Sequence, residues 1–465
     1  MSSLFSRPAR AAAPLLACLL IVSPAAGFTD PDEDDEDPRE KRIAELEGEV
    51  GELRGAYSEL FALTRALQSQ IDVLTGNVVG AGDDFYIPRT AAEFQEGGES
   101  AQLGGIYTKP FLTQLGKNSY YGGYIDLEYT NPSGDGGNQE FDQHRLVPFI
   151  YADVSENVKV AAEIEYEHGS ELEVEFAQMD FLINPAINFR AGIQLLPLGK
   201  LNQVHDSPIQ DLTARPLVDR YIIPTTFRDA GVGVWGDISE QVSYNVTVSN
   251  GFKGLAADGT SAINDSDGLK NAAPQADELA DPFENTNDKL AFTGRVAYKP
   301  VLGTEFGVSA HKDTYDEAGE RDLDIWALDA TIDGAALPFM PDNMELLYES
   351  AHASIERDNF AKASGVAGDM EGYYVQSNVH FEPEFLQSWK EKGLAEDDAH
   401  FTFVTRYDHV NLSTYDMRRV TYGLNYRPNG NQTVIKLDFQ SNDDTGTNKG
   451  SANANAWLLS FASFF

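Results

Sequence analysis

Cysteine is nearly absent from this chain of 465 residues, and its scarcity excludes several kinds of site. The one cysteine, Cys18, lies in a short apolar stretch that has the form of a secretion signal, so the mature chain is predicted to contain no thiol. A lipoprotein cleavage box is the alternative, but apolar residues continue after Cys18. Disulfide frameworks, cysteine zinc sites and cysteine nucleophiles are therefore not expected.

Basic residues and long apolar runs are also scarce. The chain has 34 Lys and Arg against 74 Asp and Glu, a formal charge of -40, so nucleic acid is excluded as a partner by charge repulsion. The longest apolar run, residues 11–22, is too short to cross a bilayer as a helix. A helical membrane protein is therefore not expected.

The amino-terminal segment is predicted to direct export. Arg7 and Arg10 precede the apolar run, and small residues at 24–27 follow it, which together form the pattern of a cleaved signal peptide over residues 1–27. Residues 28–40 are dominated by Asp and Glu and are predicted to be a disordered, solvated arm, with calcium binding as the alternative.

Residues 41–80 repeat apolar side chains with 3,4 spacing, which predicts an α-helical coiled coil. The series is Ile43, Leu46, Val50, Leu53, Tyr57, Leu60, Thr64, Leu67, Ile71, Leu74 and Val78. Opposite charges flank this seam, as with Arg42 and Glu47, and favour pairing between helices. Ile and Val at the a positions favour two helices, whereas apolar flanks such as Phe61 and Leu63 favour three or more.

The period changes from 3.5 to 2 at about residue 119, after a linker over residues 81–118. Sixteen segments of about 10–14 residues then alternate apolar and charged side chains, which is the length that a tilted strand needs to cross a hydrocarbon layer. The segments are 119–130, 142–154, 157–168, 172–183, 187–198, 226–238, 241–252, 288–299, 303–312, 321–333, 343–357, 369–382, 398–411, 416–428, 431–442 and 453–465. Residues 119–465 are therefore predicted to form a sixteen-stranded antiparallel transmembrane β-barrel, so that the fold class is all-β with a preceding coiled coil.

The connections and the last strand agree with a closed barrel. Most alternate connections are tight turns and the others are long polar loops, so that the chain ends and the coiled coil are expected on the periplasmic side. The chain ends within a strand at Phe465, and an exposed aromatic strand edge is unfavourable unless it pairs. We expect this strand to seal the barrel against residues 119–130.

The third long loop, about residues 199–225, differs from its polar neighbours. It carries the apolar residues Leu201, Leu212, Leu217, Val218, Ile222 and Ile223. Because a solvated loop does not need so many apolar side chains, the loop is predicted to fold inward onto the barrel wall and to narrow the channel.

The stretch from Leu198 to Gly236, with His205-Asp206, Asp211-Leu212 and Arg215-Pro216 among its residues, is similar to porins related to the phosphate-selective O and P group. With sixteen strands and a terminal Phe, the chain resembles trimeric outer-membrane porins, some of which carry an amino-terminal periplasmic coiled coil. The resemblance covers residues 105–465. It implies a homotrimer in the bacterial outer membrane, in contact with lipid and lipopolysaccharide, that passes small solutes or ions without a cofactor, and it implies that Phe465 is an assembly signal.

Charged residues of the loop and of the inward strand faces are the candidates for a constriction. They are Lys200, His205, Asp206, Asp211, Arg215, Arg220, Arg228, Arg406, Arg419, Arg427 and Lys436. Basic residues on strands 13–15 and carboxylates on strands 1–3 predict a transverse field and a preference for anions such as phosphate or carboxylates. Ion pairing within the wall is the alternative role for these residues, and the charge of -40 weighs against phosphate.

No catalytic or metal-binding motif is present. The chain has no His-Glu-x-x-His or Gly-x-Ser-x-Gly sequence, and the residues of Tyr407-Asp408-His409 would point to opposite faces of one strand. Acidic outer loops such as residues 264–268 are expected to be solvated, with cation bridges to lipopolysaccharide as the alternative. A second hypothesis, compatible with a pore, is a tether whose coiled coil reaches peptidoglycan.

Overall fold

The computed structural model describes residues 113–114, 119–133, 138–276, 283–445 and 454–465. The predicted signal peptide, acidic arm and coiled coil lie outside the described residues, as does the linker apart from Thr113–Gln114. Among the helices of the described part, none is long and apolar enough to cross a membrane.

Sixteen strands in the described residues form one closed antiparallel sheet. They are β1 Ser119–Pro132, β2 Glu140–Ser155, β3 Val158–Glu167, β4 Glu171–Asn184, β5 Ile187–Leu195, β6 Arg228–Ser239, β7 Val242–Ser249, β8 Ala291–Tyr298, β9 Thr304–Thr314, β10 Asp322–Asp333, β11 Met344–Ile355, β12 Met370–Phe381, β13 His400–Asn411, β14 Asp416–Arg427, β15 Thr433–Thr445 and β16 Ala456–Phe464. Each strand pairs with the next in the chain, and the two-residue strand Thr113–Gln114 pairs with β1. The predicted strand number and order are confirmed.

The last strand closes the barrel as the sequence predicts. Strand β16 pairs antiparallel with β1, from Ala456 opposite Pro132 to Phe464 opposite Tyr124. Beyond the strand, the Phe465 N–H donates to the Gly123 carbonyl at 2.9 Å, and the Gly123 N–H donates to the Phe465 carbonyl at 3.1 Å. The backbone of the terminal strand therefore has partners on both of its edges.

The barrel has an apolar exterior and a charged interior, the reverse of a soluble protein. Trp457 and Tyr422 are 50% and 49% exposed, whereas Glu163 and Arg427 are fully buried at 0%. This polarity follows from the period of two, because successive side chains on a strand point to opposite faces of the sheet. An exterior of this kind suits a hydrocarbon environment and would be unfavourable in water.

Short helices occupy several connections between strands. The helices are α1 Val218–Tyr221, α2 Asn359–Ala363 and α3 Glu384–Glu391, with 3-10 turns at Leu201–Gln203, Lys270–Ala272 and Gly334–Ala336. The sequence does not predict these helices, because helices of one or two turns hold too few residues to show a helical period.

Several predicted strands extended too far into their connections, and two of them took in loop residues that are buried. The predicted strand 187–198 ends at Leu195, and the predicted strand 241–252 ends at Ser249. The residues beyond these ends, including Leu196, Leu198 and Phe252, are buried within the barrel. These residues are apolar because they pack inside the barrel, not because they belong to a lipid-facing strand. The alternation pattern alone does not distinguish these two cases.

Candidate functional site

The connection between β5 and β6, residues 196–227, lies inside the barrel and is here named the inner loop. Asn202 holds its two ends together: the Nδ2 group donates to the carbonyls of Leu196 at 2.8 Å and Phe227 at 2.9 Å. The Phe227 N–H donates back to Asn202 Oδ1 at 2.7 Å. The buried amide thus closes the neck of the loop, and the prediction that the loop folds inward is confirmed.

The start of the inner loop contacts the wall formed by β9 to β11. The N–H groups of Lys200 and Leu201 donate to Glu349 Oε2 at 3.0 and 3.1 Å. The Lys200 ammonium donates to Thr331 Oγ1 at 2.9 Å and lies 3.7 Å from Glu305 Oε1. Gly199 precedes these residues with a φ of +72°, a conformation that favours glycine, and a side chain there would collide with Glu349.

The next part of the loop reaches the opposite wall at β4. His205 Nε2 forms a hydrogen bond with Glu175 Oε1, and both side chains are buried. The His205 ring also contacts the Asn202 carbonyl through Nδ1 at 2.9 Å. Buried Asp206 opens a turn in which its carbonyl accepts the N–H groups of Ile209 and Gln210. His205 and Asp206 therefore position the loop backbone.

Asp211 and Arg427 form the most connected anchor of the loop. Arg427, on β14, donates from Nη1 to the Pro208 carbonyl at 2.8 Å and from Nη2 to Asp211 Oδ1 at 3.0 Å. Asn378 donates to Asp211 Oδ2 at 2.8 Å, and Asn425 donates to the Asp211 carbonyl at 2.7 Å. Three strand residues thus fix one loop residue through both its side chain and its backbone.

Two other predicted constriction cations also donate to backbone carbonyls of the loop. Lys436 Nζ on β15 donates to the Ser207 carbonyl at 2.8 Å, and Arg406 Nη2 on β13 donates to the Ala214 carbonyl at 2.9 Å. Arg406 also pairs with Asp408 at 2.9 Å. The side chains of Lys436, Arg406 and Asp408 are all buried. These cations therefore hold the loop in place.

Carboxylates of the same wall accept from the loop backbone. The Thr213 N–H donates to Asp438 Oδ2 at 2.6 Å, and the Leu217 N–H donates to Asp408 Oδ1 at 3.0 Å. Strands β13 and β15 therefore supply donors for loop carbonyls and acceptors for loop N–H groups. This arrangement satisfies a peptide backbone that crosses the barrel interior.

The remaining candidate cations fall into two groups according to how far their side chains are exposed to water. Arg228 pairs with Glu173, and Arg419 donates from Nε to Asn442 at 2.8 Å; both arginines are buried. Arg215 is partly exposed and donates to Thr226 Oγ1 at 3.3 Å, whereas Arg220 is exposed with its guanidinium 5.4 Å from the Tyr221 ring. Arg215, Arg220 and the partly exposed Lys200 are thus the loop cations that water reaches.

These contacts change the predicted picture of two opposed charged walls. The cations of β13 to β15 do point inward, but they bind the loop or nearby polar groups. On the other wall, Arg145 Nε lies 2.8 Å from Glu165 and 3.0 Å from Glu167, so part of the predicted acidic face is paired locally. These pairs agree with the alternative role given above, in which the wall charges form ion pairs with one another.

Apolar packing fills the interior on either side of the loop. The second half of the loop packs with outer loops and with inward residues of β10 to β14 in a cluster that includes Leu217, Val218, Ile222, Ile223, Ile263, Leu269 and Val366. A second cluster packs against Ile209 and contains Tyr124, Phe149, Phe176 and Phe464. The unusual apolar content of the loop is thereby explained.

A small recess lies between the inner loop and the wall of β10 to β12. Its lining includes Lys200, Asp211, Asp329, Glu345, Glu349 and Tyr374. Asp329, Glu345 and Glu349 are not among the site residues predicted from the sequence, although each occupies an inward position of an alternating strand. The inward position can be read from the sequence, but it does not show which of the inward carboxylates contact the loop.

Comparisons with known proteins place the fold in context. No family model matches the chain. A protein of Aquifex aeolicus (strain VF5), described as an uncharacterized protein, is 28% identical over 370 residues, which are 74% of this chain and 79% of that protein.

Three solved structures with a similar fold are distant in sequence. An anion-selective porin from Comamonas acidovorans is 12% identical, with 75% of this chain and 99% of that chain covered and a TM-score of 0.48. The outer-membrane channel DcaP of Acinetobacter baumannii is 10% identical, with 75% and 97% covered and a TM-score of 0.49. OmpF of Salmonella typhi in complex with daunomycin is 9% identical, with the same coverage and a TM-score of 0.47. We therefore assign the barrel fold from the strand pairing of this chain and not from these similarities.

Replacing Arg427 with Met should destabilise the barrel by roughly 3–5 kcal/mol, because Asp211 then keeps a buried charge without its partner. Urea unfolding in lipid vesicles, followed by tryptophan fluorescence, measures the change. Arg418→Met on the same strand is the control: its side chain is 53% exposed and pairs with Asp416 at 3.1 Å. That control should cost less than about 1 kcal/mol. Equal losses in both variants would contradict the anchoring role of Arg427.

Proposed function

We propose that the chain is an outer-membrane porin through which small hydrophilic solutes or ions diffuse passively. The observation that carries this proposal is a closed barrel with an apolar exterior, a charged interior and a loop anchored across the interior. The apolar exterior supports a position in a membrane. Charged side chains on and around the interior loop can select among the solutes that pass through the barrel. The coiled coil on which the tether hypothesis depends lies outside the described residues.

We also propose how the barrel is oriented in the outer membrane and how many chains assemble. The tight turns face the periplasm and the long loops face outward, so that the predicted coiled coil of residues 41–80 is periplasmic and within reach of peptidoglycan. The barrel contacts lipid and, at its outer rim, lipopolysaccharide. We expect a homotrimer, with the coiled coil joining the three chains and Phe465 acting as the assembly signal.

The charges on the inner loop support a preference for anions such as phosphate or carboxylates. Several wall carboxylates are already compensated, because Arg295 lies 2.8 Å from Glu305 and 2.5 Å from Asp329. Within the described part of the chain, neither Arg215 nor Arg220 has a carboxylate oxygen within 4.0 Å of its guanidinium. Unpaired cations that water reaches set a positive local potential. We assign the preference to these two arginines and not to the buried cations.

Purified protein added to a planar lipid bilayer should produce stepwise increases in ion conductance, because a water-filled path crosses the barrel. The same protein unfolded by heat before addition is the control and should produce no steps. A folded and inserted barrel that remains non-conducting across a range of voltages would refute the porin proposal.

The reversal potential in a salt gradient should show an anion preference in the wild type. Arg215→Gln and Arg220→Gln should each shift the reversal potential toward cation preference, because each removes a positive charge that water reaches. Lys312→Gln is the matched control, since Lys312 is 64% exposed on the exterior of β9 and pairs with Asp324 at 3.2 Å. A cation preference in the wild type, or an equal shift in the control, would overturn the assignment to the inner loop.

A further inference from the structure

Two histidines and a carboxylate converge at the outer rim of the barrel, away from the inner loop. Asp142 and His144 lie near the outer end of β2, and His168 lies in the turn between β3 and β4. His168 Nδ1 is 2.7 Å from Asp142 Oδ2, and His144 Nδ1 is 3.6 Å from the same oxygen. One ligand atom from each of the three residues lies within 4.8 Å of the others.

The backbone brings these residues together through two local irregularities. The register between β1 and β2 shifts between Asp126 and Glu128, so that Gln143 and His144 form a bulge opposite Leu127, next to Asp142. The turn places His168 and Gly169 at positive φ values of 50° and 70°. The His168 N–H then donates to the His144 carbonyl at 3.4 Å. Both imidazoles are therefore presented from defined backbone positions.

The spacing of these atoms suits a metal ion. Two ligands of a tetrahedral zinc ion lie about 3.3 Å apart when each bond is about 2.0 Å long. The two contacts with Asp142 Oδ2, at 2.7 and 3.6 Å, lie on either side of that separation. Glu167 and Glu171 form a second group of potential ligands with His168, separate from the one that contains Asp142 and His144.

We propose that Asp142, His144 and His168 bind one divalent transition-metal ion, with Zn²⁺ as the reference ion. Two imidazoles and one carboxylate favour Zn²⁺, Cu²⁺ or Ni²⁺ over Mg²⁺ and Ca²⁺, which prefer sites made entirely of oxygen. A bound ion would tie the turn at His168 to β2 at the mouth of the barrel. The site does not require that the barrel conducts.

A simple ion pair between His168 and Asp142 is the competing explanation, and the chain contains a matched example. His409 Nε2 lies 2.8 Å from Asp416 Oδ2 at the same end of the barrel. Among the described residues, no third His, Cys, Asp or Glu has a ligand atom within 4.8 Å of both members of this pair. It therefore provides a control in which one imidazole meets one carboxylate.

Zinc binding to the full-length protein in detergent should be measured by calorimetry with excess Mg²⁺, which occupies the many carboxylate sites of this acidic chain. We expect one Zn²⁺ per chain in the wild type. His168→Asn and His144→Gln should each weaken binding at least tenfold, a loss at least as large as that from removing an outer-shell partner of a metal site. Asn accepts the positive φ at position 168, and His409→Gln should bind as the wild type does.

Cu²⁺ bound in place of Zn²⁺ gives a second measurement. Its electron paramagnetic resonance spectrum should show two coordinated imidazole nitrogens in the wild type and one in each of the two site variants. Since His144 lies in a strand and His168 in a turn, either variant tests the proposal if the other does not fold. Absence of zinc binding, unchanged binding in a folded site variant, or an equal loss in His409→Gln would overturn it.

Discussion

The peptide backbone of the inner loop crosses the barrel interior, and it needs hydrogen-bond partners there in place of bulk water. Charged wall residues supply many of these partners. Arg427, Lys436 and Arg406 donate to loop carbonyls, while Asp408 and Glu349 accept from loop N–H groups. The position of the loop, the recess beside it and the set of exposed cations all depend on these bonds.

This constraint also explains why so many charges are buried in the barrel. Removing a charged side chain from water costs several kcal/mol unless opposite charges and hydrogen bonds compensate it. Arg427 obtains that compensation from Asp211 and the Pro208 carbonyl. Arg215 and Arg220 retain access to water. The same residue type thus has two environments, and exposure separates the arginines that hold the loop from those that we propose to meet solutes.

Much of the barrel could be predicted from local patterns. The period of two revealed all sixteen strands, and the apolar content of residues 199–225 revealed a loop that packs inside. The partners of the loop could not be predicted in this way, because Asp211 and Arg427 are 216 positions apart and no period relates them. Most inward charges of β13 to β15 were identified, but alternation alone does not separate a charge that faces water from one that faces a backbone carbonyl.

The histidine cluster was missed for a related reason. Metal motifs are recognised by fixed spacing along one element, whereas Asp142 and His168 are 26 positions apart and belong to different elements. A register shift and a turn at positive φ bring them together. The sequence showed the histidines, but it contained no signal for the bulge.

The position of the inner loop is the central claim, and an engineered disulfide between Leu212→Cys and Gly423→Cys tests it most directly. A β-carbon at Gly423 would lie 2.5 Å from Leu212 Cδ2 and 2.7 Å from Asp438 Oδ1. Replacing Leu212 with Cys removes the first of these contacts, and a small shift of the Asp438 carboxylate relieves the second. Cys18, the only native cysteine, precedes the predicted cleavage site. Peptide mapping by mass spectrometry of the folded, oxidised protein should find residues 212 and 423 joined by a bond that reduction breaks. Two free thiols that both react with maleimide in the folded barrel would show that the loop does not lie against β14.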